Sequence, residues 1–86
     1  MFKVRTKVLG NPDHGEDPYK VPYGVVNKTI TAVDMSELKK KVGEWQVENR
    51  IGGGHWCDPI VFEGSKCVGR MSYNARIWST EGKEII

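Results

Sequence analysis

The stretch Cys67-Val68-Gly69-Arg70-Met71-Ser72-Tyr73-Asn74-Ala75-Arg76-Ile77-Trp78-Ser79 decides the fold. Met71, Tyr73, Ala75 and Ile77 alternate with Arg70, Ser72, Asn74, Arg76 and Trp78, and a period of two puts the first set on one face of a strand and the second on the other. Read as one long strand, the segment closes a sheet and displays two guanidinium groups and an indole on its wet side. Asn tolerates left-handed geometry, so a turn at Asn74-Ala75 is the competing reading and would break the run into two strands.

Just upstream, Pro59-Ile60-Val61-Phe62 and Cys67-Val68-Gly69 flank Glu63-Gly64-Ser65-Lys66, a hairpin with Gly-Ser as its two-residue turn. Opposite charges on Glu63 and Lys66 across the tight end support that register. Before the hairpin, Asp34-Met35-Ser36-Glu37 opens a helix as a capping box. Met35, Leu38, Val42 and Trp45 recur at three and four, which predicts an amphipathic helix to about Arg50, with Glu37 and Lys41 as a favourable pair on its solvated face. Gly43 costs about 1 kcal/mol there relative to Ala, which hints at a close approach to the sheet. Gly52-Gly53-Gly54 supplies a terminator able to take the left-handed cap.

At the N-terminal end, Phe2, Val4, Thr6 and Val8 alternate with Lys3, Arg5 and Lys7 and predict the first strand. Val25 to Val33 is rich in β-branched residues and predicts a second, antiparallel to the first, with Lys28 suited to an edge. Residues 10–23 carry three prolines, two glycines and no periodicity, which reads as a long, flexible loop. Residues 81–86 read as a frayed tail. The whole is a single domain, 1–86, of α+β class: a four-stranded antiparallel sheet in the order β-β-α-β-β with one helix packed on one face.

Composition limits what such a domain does. With 86 residues it buries only about 60% of its unfolded surface. Thirteen Lys and Arg against eleven Asp and Glu leave a net charge of +2, short of the excess typical of dedicated nucleic-acid binders. The N-terminal residues lack the apolar run of a signal peptide and no stretch approaches a membrane span, so a cytoplasmic location and no membrane partner are expected. Two cysteines in such a chain read as free thiols.

Chemistry-bearing motifs are few. His55 and Cys57, with Cys67 and His14, invite a small zinc-binding reading, but the spacing matches no recognised ligand set, and in the hairpin register the thiols lie too far apart to share a metal or a disulfide. The glycine run follows a helix instead of opening one, against a phosphate cradle. Nucleophile, base and oxyanion donors cannot be assigned, so no catalytic residue, metal ligand or cofactor is expected. The sheet face is more informative. Lys3, Arg5 and Lys7 join Arg70, Arg76 and Trp78 on it, and Arg and Trp are the residues that most often anchor binding hot spots. The same mixture suits phosphate contact with base stacking.

Ala32-Val33-Asp34-Met35-Ser36-Glu37-Leu38, followed by Gly43-Glu44-Trp45-Gln46, resembles small phage-encoded α+β proteins in which a strand leads through a capped helix to a closing hairpin, as in some inhibitors of host RNA polymerase and some type I anti-CRISPR proteins. The resemblance is one of organisation, spans roughly residues 25–79, and omits the proline-bearing loop. It implies a stoichiometric inhibitor in the host cytoplasm. The expected partner is a host protein or nucleoprotein complex, with nucleic acid as the alternative.

Overall fold

The computed structural model describes all 86 residues, and their paired strands build one antiparallel sheet in the order β2-β1-β3-β4-β5. The strands are β1 (Phe2–Arg5), β2 (Thr29–Ala32), β3 (Ile60–Glu63), β4 (Lys66–Ser72) and β5 (Arg76–Ser79); a single helix, α1 (Met35–Glu48), packs on one face. The architecture is therefore α+β as expected, but the sheet has five strands instead of four.

The extra strand arises at Asn74. Asn74 and Ala75 take φ of 67° and 57°, a sharp reversal that splits the 67–79 run into β4 and β5. One strand of that length would run about 43 Å at roughly 3.3 Å per residue, beyond the 36 Å longest extent of the molecule. Folding back lets Met71 and Ile77 pair and bury together. A Cβ at Gly69 would strike the Trp78 carbonyl, so only glycine lets β5 lie this close.

Elsewhere the local signals give the elements they predict. Asp34 caps α1 by accepting the Glu37 N–H at 2.8 Å, and Glu37 pairs with Lys41 at 2.9 Å. Glu63 pairs with Lys66 across a left-handed Gly64. Leu38, Val42 and Trp45 face Val4, Ile30, Val61, Met71 and Ile77 in one apolar core. The first two strands are shorter than their periodicity suggests. Past Arg5 the alternation continues outside the ladder, with Thr6 bonded to the backbone and side chain of residues 27–28 and Val8 bridging Trp56.

Two features of α1 differ from expectation. A Cβ on Gly43 would meet nothing within 4 Å, so no close approach to the sheet explains it. The left-handed position after the helix belongs to Arg50 (φ 55°), not to the glycine run. Arg50 N–H donates to Val47 and Ile51 N–H to Gln46 at 2.8 Å, a Schellman pattern with arginine where glycine is usual, at a strain of about 1–2 kcal/mol. The tail expected to fray instead lies along β5: Ser79 N–H donates to Lys83 and Ile85 N–H to Ile77, each at 2.7 Å. At the other edge of the sheet, β2 receives Lys41 of α1, whose Nζ donates to the Thr31 carbonyl at 2.9 Å. No helix is long and apolar enough to cross a membrane.

Candidate functional site

The face of the sheet opposite α1 is built by alternate residues of all five strands. Thr29 and Thr31 of β2 stand beside Lys3 and Arg5, these beside Phe62 and Ile60, and across β4 and β5 come Arg70, Ser72, Arg76 and Trp78. Five of the six residues singled out from sequence thus share one open sheet face, although the strand expected to carry three of them folds back on itself. The reason is parity. In the hairpin Ser72 pairs with Arg76 and Arg70 with Trp78, so even-numbered residues stay on the same side through a three-residue connection. Lys7 lies beyond the end of β1 but lines the same cleft as Lys3 and Arg5.

The face divides into two halves with different electrostatics. On β4 and β5 the hairpin brings Arg70 over the Trp78 ring, 5.4 Å from its centroid, and the indole N–H donates to Ser72 Oγ at 2.8 Å. Arg70 donates to Asp58 at 3.1 Å, and Arg76 lies 4.0 Å from Glu84 of the tail. Trp78 is half-buried, not freely displayed. This half satisfies its own charges.

On β1 and β3 nothing does so. Lys3, Arg5 and Lys7 form no ion pair; Lys3 lies 5.9 Å from the Phe62 ring centroid, and Arg5 donates to Thr29 Oγ1 at 3.4 Å. They line an open cleft of about 610 Å³ together with Phe62 and with Ile60, which is 45% exposed. Asp58 is the single acid in the cleft, and its carboxylate is engaged by Arg70. Sequence reasoning missed Ile60 and Phe62. Their alternation in β3 is visible, but which side of that strand is wet follows only from pairing with β1.

The cysteines expected to stay apart are both free, Cys57 half-buried and Cys67 exposed. A different set converges: the ligand atoms of His14, Glu16 and His55 lie within 4.8 Å of one another. Its hydrogen bonds do not suit a metal. Gly52 N–H donates to His55 Nδ1 at 3.0 Å, which puts the ring proton on Nε2, and that N–H donates to Glu16 Oε1 at 2.7 Å. A metal-bound imidazole needs the reverse, a bare nitrogen on the metal and the other nitrogen donating outward. The cluster instead pins the 10–23 loop to the segment after α1. Glu16 Oε1 also accepts the Asn11 N–H at 2.9 Å, and this bond, followed by that from His55, holds its carboxyl below the usual carboxylate range.

Searches against protein-family models, curated proteins and solved structures return no match to this chain.

Proposed function

We propose that this chain is a small non-enzymatic interaction protein that docks on the acidic surface of a host protein or nucleoprotein through the β1–β3 half of its open sheet face. The observation that carries the reading is the row Lys3, Arg5 and Lys7, three cations without acidic partners beside the exposed Ile60 and the half-buried Phe62. Charges left unpaired beside apolar area favour a partner that supplies carboxylates and covers the apolar surface together. An inhibitory, phage-type role in a host cytoplasm rests on the resemblance in organisation alone.

A second reading, a nucleic-acid-binding module, is favoured by the spacing of those cations, one every second residue from Lys3 to Lys7. Against it, cations already stand over the rings of Phe62 and Trp78, where bases would stack. Titration against generic single and double strands at two salt concentrations separates the readings. Tight binding that falls steeply with salt supports nucleic acid. Absence of binding at low salt, with capture of a protein from host lysate that Lys3→Glu plus Arg5→Glu abolishes, supports a protein partner. Capture unaffected by that double reversal contradicts the proposed surface.

A further inference from the structure

A groove of about 350 Å³ runs between α1 and β2, and one of its walls is the outer edge of the sheet. Register decides which backbone groups stand there. Thr6 N–H donates to the Lys28 carbonyl, and because such bonding alternates along an antiparallel pair, Lys28, Ile30 and Ala32 turn their backbone toward β1 while Thr29 and Thr31 turn theirs outward. One of these outward groups is taken: the Thr31 carbonyl accepts Lys41 Nζ at 2.9 Å. The N–H groups of Thr29 and Thr31 and the Thr29 carbonyl have no partner in the chain. The opposite edge is treated differently, since the chain's own tail lies along β5 and bonds to Ser79 and Ile77.

The helix side of the groove carries a second unsettled feature. Glu44 and Glu48 line it one helical turn apart, a spacing at which like charges repel. Neither carboxylate is ion-paired: Lys41 is held by Glu37 at 2.9 Å, and Lys28, also on the groove, forms no ion pair.

We infer that this groove takes an extended peptide segment carrying a lysine or arginine, which adds to β2 as a further strand of the sheet. Its backbone pairs with the outward groups of Thr29 and Thr31, and its cation lies against Glu44 and Glu48. Lys41 yields the Thr31 carbonyl to the arriving strand and keeps Glu37. A second copy of this chain fits the edge less well. α1 packs over β2 and reaches its outer carbonyl, so pairing β2 with β2 sets two helices over strands about 4.8 Å apart, whereas packed helices need about 8–10 Å. A lone strand brings no helix. The site does not use Lys3, Arg5 or Lys7, so it stands or fails independently of the sheet-face cleft.

The probe is a displayed library of ten-residue peptides in which valine and threonine alternate with positions free to be lysine, arginine, glutamate or serine, selected on the full chain. Lysine or arginine is expected to outnumber glutamate at least tenfold at a fixed position among the binders. At saturation the best binder should slow hydrogen exchange of the Thr29 and Thr31 N–H groups at least tenfold, read by NMR of the ¹⁵N-labelled chain. Glu44→Lys plus Glu48→Lys changes only exposed helix positions, and Thr31→Pro falls where an edge strand tolerates proline, so both variants should fold. Both should lose tenfold or more in affinity, the first through charge and the second through the missing N–H. No selected binder, no preference for cationic residues, unchanged exchange at Thr29 and Thr31, or undiminished binding by either variant would overturn the assignment. So would protection of those two amides that rises with the concentration of the chain alone, which would give the edge to a second copy.

Discussion

The two halves of the open sheet face carry the same kinds of residue and differ in what those residues are free to do. On β4 and β5 the arginines face Asp58 and Glu84, and the indole is held by Ser72 under Arg70. On and just beyond β1 three cations form no ion pair, and the one carboxylate of the cleft they border, Asp58, is engaged by Arg70. A docking surface is therefore not read from composition: a cation already paired must be released before a partner can use it, and one left unpaired needs no such step.

Reversing two of the unpaired charges is the most damaging change to binding. Lys3→Glu plus Arg5→Glu is expected to weaken partner affinity at least a hundredfold, about 2.8 kcal/mol, with little change in folding, as measured by binding isotherms and urea titration. The paired half should respond the other way round. Trp78→Ala removes a half-buried ring, its hydrogen bond and the Arg70 contact, and is expected to cost about 2 kcal/mol of stability in urea unfolding, below the roughly 3–5 of a fully buried ring, while the folded fraction binds as before. Equal losses of affinity from both changes would erase the distinction between the halves.

Gly43→Ala sits in neither half and checks that stability and docking separate: a gain of about 0.5–1 kcal/mol is expected, with partner binding unchanged. Asp58→Asn sharpens the comparison by converting one half toward the other. It frees Arg70 beside the cleft and should raise affinity for an acidic partner severalfold at low salt, the gain shrinking as salt rises. Stability should change by less than about 1 kcal/mol, because the pair is exposed.

The loop pin supplies the smallest effect. Glu16 has a folded-state pKa held below its unfolded value, so its stabilisation is complete above the ordinary carboxylate range and disappears as pH falls through the depressed value. Urea midpoints followed from about pH 7 to about pH 3 should decline on the acid side. Glu16→Gln should make that decline shallower, and an unchanged slope would show that the pin contributes nothing.

Local signals carried most of this fold. The Phe2–Val8 alternation, the Asp34 cap and the Glu63–Lys66 pairing each act over a few residues, and each marks its element, although β1 leaves the ladder at Arg5, before the alternation ends. The location of Lys3, Arg5, Arg70, Arg76 and Trp78 on one face was legible because parity survives the Asn74 turn. The turn itself is the part that local reasoning weighed against, since Ala75 in left-handed geometry goes against its own preference and is repaid only when Met71 meets Ile77 in the core. The division of the face was not legible. Asp58 reaches Arg70 and Glu84 reaches Arg76 only after the hairpin and tail have folded, and the β1–β3 pairing that creates the cleft joins residues far apart in sequence. The His55–Glu16 pin is non-local for the same reason.

The most direct test is chemical labelling of lysines in the free and partner-bound protein, read by mass spectrometry. If the β1–β3 half is the working surface, Lys3 and Lys7 become protected on binding while Lys66 and Lys83 label as before. Labelling of Lys3 and Lys7 that is undiminished in the complex would place the partner elsewhere and contradict the account.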